Sequence, residues 1–113
     1  MAAVNVYEQY FKARHSANGA ERRAALAMLI AESEAGHIRY EVAVSFFPHN
    51  DPENFAVSYD DYHAVTLYDA DGRRSKKREA ALLDGFRQAL DGLCSGIGAE
   101  IFWDEPLREA RRG

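Results

Sequence analysis

The chain carries four histidines, and two of them, His49 and His63, fall in a stretch that also holds Asp51, Asp60 and Asp61. Imidazole nitrogens and carboxylate oxygens together make a donor set for a divalent metal, and a histidine beside a carboxylate can act as an acid/base pair. The spacing alone does not bring these side chains together, because Asp, Asn and Pro also make up ordinary hairpin loops. The other two histidines, His15 and His37, fall at the ends of expected elements, where an imidazole pairs more often with terminal carbonyls than with ligands.

A second group, Arg73, Arg74, Lys76, Lys77 and Arg78, opens an expected helix. Cations at a helix amino terminus oppose the helix dipole, so something must offset them. A bound phosphate or acidic partner would do so. The neighbouring Asp69, Asp71 and Glu79 would do so as well, and no glycine-rich phosphate loop accompanies the cluster. Before it, from Tyr40 to Gly72, there is no Lys or Arg, and Glu41, Asp51, Glu53, Asp60, Asp61, Asp69 and Asp71 stand among Tyr40, Tyr59, Tyr62 and Tyr68. Tyrosines on an acidic surface suit a protein interface, and an acidic face complements a basic partner. Cys94 borders an apolar helical stripe and reads as a small buried hydrophobe rather than a nucleophile. The Gly-x-Ser-x-Gly, His-Glu-x-x-His and Gly-x-Gly-x-x-Gly signatures do not occur.

The elements that must position these residues follow from periodicity. Val4, Tyr7, Phe11 and Arg14 repeat at three and four and predict a helix to about His15. Asn18-Gly19 breaks it, and Ala20 to Ala35 reads as a second helix with a buried stripe of Ala25, Leu26, Leu29 and Ile30 and with Gly36 as its C′ residue. From His37 the period switches to two, and Ile38, Tyr40, Val42, Val44 and Phe46 predict a strand buried on one face. A turn cluster from Pro48 to Asn54 follows, then strands at Phe55 to Tyr59 and at His63 to Tyr68. Ser75 is a good N-cap for one long helix reaching Ser95-Gly96, with a core stripe of Leu82, Leu83, Phe86, Ala89, Leu90 and Leu93. Gly85, Gly92 and Gly96 flank that stripe, which suggests close approach by a neighbouring backbone. Ala99 to Trp103 gives a last strand before Pro106, and residues 105–113 read as a frayed charged tail. The expected order is therefore ααβββαβ: a two-layer α+β sandwich, with a four-stranded, mostly antiparallel sheet covered on one face by helices, in a single domain spanning residues 1–113.

With 113 residues, 47% hydrophobic and 28% charged, the chain has the composition of one globular core rather than of a disordered segment. The longest apolar run, Ala24 to Ala31, is too short to span a bilayer, no secretory pattern opens the chain, and one cysteine cannot form an internal disulfide, so a cytoplasmic location is expected. A net charge of −4 is mild and by itself predicts neither nucleic-acid binding nor strong repulsion from it; with the basic cluster neutralised by its acidic neighbours, nucleic acid is an unlikely partner. By elimination the sequence points to a non-enzymatic, bacterial-type accessory or regulatory protein. It would bind another protein or itself, as a homodimer for example, with no cofactor and no membrane. The alternatives are anion or nucleic-acid binding through the basic helix start, and a small enzyme or metal binder built on the His and Asp loops.

Overall fold

The computed structural model describes residues 2–17, 20–47, 61–107 and 111–112, the side chains of 16–17, 20–23 and 111–112 excepted. Its strands are β1 (Ala2–Ala17), β2 (Ala20–Glu34), β3 (His37–Phe47), β4 (Tyr62–Asp71), β5 (Ala99–Pro106) and the short β6 (Arg111–Arg112), with helices α1 (Lys76–Asp84) and α2 (Phe86–Gly96) between β4 and β5. The strands pair in the order β4-β3-β2-β1-β5, every pair antiparallel, and β6 adds to β1 at Tyr7 and Glu8. Most of the described residues lie in strands and two helices stand between β4 and β5, so the predicted order ααβββαβ and the four-stranded sheet are both corrected.

Both amino-terminal helices predicted from the sequence are strands, and each misreading has a physical cause. In β1 the pairing with β2 shifts register between Asn5 and Tyr7. A bulge adds one residue to a strand, here Val6, so the face that holds Val4 before it resumes at Tyr7 and Phe11 after it, and a second shift follows between Lys12 and His15. The resulting spacings of three and four imitate a helical stripe. In β2 the cause is its place at the centre of the sheet. Ala25, Ala27, Leu29 and Ala31 are buried on one face while Ala24 and Met28 are buried on the other. A strand covered on both sides shows a continuous apolar run instead of alternation, and its alanines and leucines then favour a helix on propensity alone. Tertiary pairing overrides that preference.

Gly36 ends no helix. It forms with Ala35 a two-residue hairpin turn in which both residues have positive φ, 50° and 80°. This is the combination a tight, right-twisted hairpin requires, and it aligns Glu34 with His37. Strand β3 is a strand with the predicted face buried, Ile38, Tyr40, Val42, Val44 and Phe46, but from Val42 onward its other face is buried as well, at Ala43, Ser45 and Phe47, so it is not buried on one face alone. His63 to Tyr68 lies within β4 and Ala99 to Trp103 within β5. The predicted strand at Phe55 to Tyr59 falls outside the described residues.

Ser75 caps α1, its Oγ accepting the Arg78 N–H at 3.2 Å. The predicted long helix is interrupted at Gly85, which closes α1 and opens α2, its carbonyl accepting the Ala89 N–H at 3.0 Å. An added Cβ at Gly85, Gly92 or Gly96 would meet nothing within 4 Å, so these glycines do not admit a neighbouring backbone. Phe86, Leu90 and Cys94, four residues apart on α2, pack on the face formed by Ala25, Ala27, Leu29 and the inward residues of β3. Among the described residues no helix is long and apolar enough to cross a membrane.

Candidate metal centre

Three side chains from separate parts of the chain converge at one end of the helix-covered face. His15 belongs to β1, where Phe11, Ala13 and His15 are buried and alternate with exposed Lys12 and Arg14. His63 lies near the start of β4, opposite Val44. Asp61 immediately precedes β4 and is fixed by its own backbone, its carbonyl accepting the Phe46 N–H at 3.1 Å. In the sheet order β2 and β3 separate β1 from β4. The β2 residue in register with both Phe11 and Phe46 is Ala25, whose methyl group leaves room above the middle of the sheet. Larger side chains on either side can therefore reach each other across it.

Asp61 joins the two rings. Its Oδ2 lies 2.8 Å from His15 Nδ1 and its Oδ1 lies 2.8 Å from His63 Nε2. The His15 ring stacks at an angle on Phe46, with centroids 4.6 Å apart, and the two imidazoles approach edge to face at 5.8 Å. The His15 and Asp61 side chains are only 5% and 9% exposed, whereas His63 is 30% exposed. A buried carboxylate without partners would be costly, and here both of its oxygens face a ring nitrogen.

The same atoms form a metal-ligand set. One donor from each of His15, Asp61 and His63 lies within 4.8 Å of the other two. Metal–nitrogen and metal–oxygen bonds of about 2.0–2.2 Å place tetrahedral donors roughly 3.3 Å apart, so an ion would part the imidazoles slightly from the carboxylate, which they now meet at 2.8 Å through separate oxygens, and draw in the widest separation of the set, at most 4.8 Å. Two imidazoles and one carboxylate suit Zn, Fe(II), Co or Mn rather than the all-oxygen sites of Ca and Mg.

Of the residues singled out in the sequence, the structure brings Asp61 and His63 together, while His49, Asp51 and Asp60 lie outside the described residues. His15 was assigned to a helix end, and its signal was the two-residue alternation Phe11, Ala13, His15. His37 was also expected to meet terminal carbonyls, but its ring nitrogens meet the carboxylates of Asp69 and, at 3.1 Å, Asp71. Those bonds, Asp69 first, raise its pKa above the ordinary histidine value.

The basic cluster is partly neutralised from within. Arg74 makes a two-pronged contact with Glu79, at 2.9 and 3.0 Å. Tyr40 donates its hydroxyl to the same carboxylate at 2.7 Å and accepts the Ser75 N–H at 3.2 Å. The Arg74 guanidinium holds Glu79 below its usual pKa, and burial pushes the Tyr40 hydroxyl up. Arg78 lies over the Tyr68 ring, 4.4 Å from its centroid. Arg73, Lys76 and Lys77 remain exposed. Tyr40 is fully buried, so of the tyrosines in the acidic stretch it belongs to the core and not to a surface. Tyr59 falls outside the described residues. Cys94 is buried, and desolvation pushes its thiol up to about 12, which leaves it protonated and a poor nucleophile.

Comparison with protein-family models, with curated proteins and with solved structures finds no match to this chain.

Proposed function

We propose that this chain is a small metal-binding domain in which His15, Asp61 and His63 hold a divalent transition-metal ion, zinc being the natural candidate for this donor set. The observation that carries the reading is the buried carboxylate between two imidazoles, with all three donor atoms within 4.8 Å of one another. An ion there would tie β1 to the start of β4, across the two strands between them. Chelator-treated protein should take up one equivalent of zinc. At 100 times the dissociation constant the ion should stabilise the fold by about 2.7 kcal/mol, which corresponds to a rise in melting temperature of about 10 °C. The His15→Ala and His63→Ala variants should show no such rise. An unchanged wild-type melt at millimolar zinc and manganese would remove this reading and leave the three residues as an internal hydrogen-bonded clasp.

A second reading, self-association, is supported by β4, the outermost strand among the described residues. Strand β4 carries no Asp, Glu, Lys or Arg from Tyr62 to Tyr68, and Tyr62 and Val65 are exposed, at 37% and 41%. A long strand with an uncharged stretch and a free edge can pair with its counterpart in a second copy. Light scattering of size-fractionated protein would then give twice the chain mass, and Val65→Lys would return it to the monomer mass.

A further inference from the structure

We infer that His37 is a proton-operated latch: as the imidazolium it fastens the end of β4 to the β2–β3 turn through Asp69 and Asp71 together, and as the neutral ring it lets Asp71 go. The inference is independent of the metal reading and adds a place where solvent pH acts on the fold.

The geometry that carries it is the occupation of both ring nitrogens. Nε2 faces a carboxylate oxygen of Asp69, and Nδ1 lies 3.1 Å from one of Asp71. The strand register produces this arrangement, because His37 pairs with Asp71 and Arg39 with Asp69, which puts both carboxylates on the ring's own side of the sheet. An ionised carboxylate only accepts, and a neutral imidazole has one N–H and one lone pair. Only the imidazolium therefore donates to both. In the neutral ring one lone pair faces a carboxylate, and that contact opens. Asp71 is the one released, because its side chain is 99% exposed against 51% for Asp69 and water readily takes the place of the ring. The hydrogen bonds to Asp69 and then Asp71 also raise the pKa of the ring above its ordinary 6.5, so the latched form persists past that value.

The surroundings confine the response to the rim of the sheet. The other charged groups around the ring are Glu32 and Glu34 of β2 and Arg39 of β3, in the cleft they share with His37 and Asp69. Arg39 is already held by Glu32 at 2.9 Å and by Glu41 at 3.4 Å. With 46% of its side chain exposed, His37 exchanges its proton with solvent without unfolding of the chain. The next residue of β3, Ile38, is buried in the core, so the opening stops there. What the latch holds is the turn at Ala35 and Gly36 and the exit of β4, where the Gly72 N–H donates to the Gly36 carbonyl at 2.7 Å. Local opening of such a rim leaves the rest of the sheet intact.

Amide NMR of the intact chain across the His37 titration tests this. The Gly72 amide should shift with the same midpoint as the His37 ring. Its protection from hydrogen exchange, corrected for the intrinsic pH dependence of exchange, should be full below the unfolded histidine value. It should then fall by roughly two- to fivefold as pH rises through the folded one, as loss of an exposed ion pair gives. Amides in the middle of the β2–β3 ladder should keep their protection. In Asp71→Asn the side-chain carbonyl can accept from the charged ring and the side-chain NH2 can donate to the neutral one, so the latch should stay closed in both forms. Gly72 should then lose its pH response while His37 still titrates. In His37→Gln the response should vanish. If Gly72 of the wild type keeps its protection while the ring titrates, or if Gly72 in Asp71→Asn responds as in the wild type, the inference is overturned.

Discussion

His15 and Asp61 are 46 residues apart in the sequence, and their side chains meet at 2.8 Å in the buried end of the sheet. No local rule places them together. The contact depends on β1, the centre of the sheet and the entry to β4 all being correctly registered, so it reports on the fold as well as on the site.

Asp61→Asn tests the shared role of that carboxylate. The amide keeps the shape but offers one acceptor oxygen where two ring nitrogens now meet a carboxylate. Metal-free protein should lose about 1–3 kcal/mol in urea unfolding, as breaking a buried polar contact does. Zinc affinity, followed by competition with a chelator, should fall by more than the about 10–100-fold seen when an outer partner of a ligand is removed.

The His37 contacts make a prediction about pH. Its pKa is raised in the folded chain by hydrogen bonds to Asp69 and then Asp71. A raised folded-state value means that its stabilising contribution is fully present below the unfolded value, near 6.5, and is lost as pH rises through the folded value. The other charges facing it are Glu32 and Glu34 of β2 and Arg39 of β3, which line one cleft with His37 and Asp69. The His37 ring signal in a proton NMR titration should have its midpoint above 6.5, and Asp69→Asn should lower it more than Asp71→Asn does. Because the ring is exposed, the global melt should move little.

The basic cluster divides into two parts. Replacing Arg73, Lys76 and Lys77 by Gln should change stability by no more than about 0.5 kcal/mol, or raise it slightly, because they are exposed cations at the positive end of a helix. Arg74→Gln should cost about 1–3 kcal/mol, discounted because its own side chain is 37% exposed, since it strips the partner from a Glu79 side chain that is 10% exposed. Equal thermal melts for the triple variant and for Arg74→Gln would show that the Glu79 contact contributes nothing. A low-salt titration with nucleic acid on the same proteins should give no micromolar binding.

Tyr40→Phe removes one donor to Glu79 and the acceptor of the Ser75 N–H. The ring stays, so packing is conserved, and the loss should be about 1–2 kcal/mol in denaturant unfolding. Arg74 already holds the Glu79 pKa down, so that contribution is present above the unfolded value, 4.5, and fades as pH falls through the folded one. The difference between wild type and Tyr40→Phe should therefore narrow in acid.

Strand β3 was legible in the sequence because one of its faces carries large apolar residues from Ile38 to Phe46 while the other carries Arg39, Glu41 and the small Ala43 and Ser45, although those last two are buried. Strand β1 was not, because its pairing with β2 shifts register twice, between Asn5 and Tyr7 and between Lys12 and His15, and the first shift gives the spacing of three from Val4 to Tyr7. Strand β2 was not, because a central strand carries no polar face to mark its period, and Ala, Leu and Met are strong helix formers. Gly85 is an ordinary break between two helices, whereas its spacing with Gly92 and Gly96 resembled a packing stripe. Two of the three residues of the candidate site were legible and one was not. Asp61 and His63 stood out by residue type beside a turn, but His15 could only be joined to them once β1 was known to be a strand with its inward face at odd numbers.

The position of β1 between β2 and β5 has a consequence for how the chain comes together on the ribosome. Among the described strands β1 is made first, and it gains one neighbour at once, from the strand β2 that follows it. Its other neighbour arrives much later, through contacts such as Arg14 with Glu100, 86 residues on. Until then one side of β1 presents unpaired peptide groups, and the face that α2 will cover stays exposed. Closing a loop of that size before its contacts form places such antiparallel topologies at the slow end of single-domain folding, in roughly milliseconds to seconds. A nascent chain stalled before β5 is made should therefore be held by chaperones or aggregate through β1, and release should coincide with the appearance of residues 99–106.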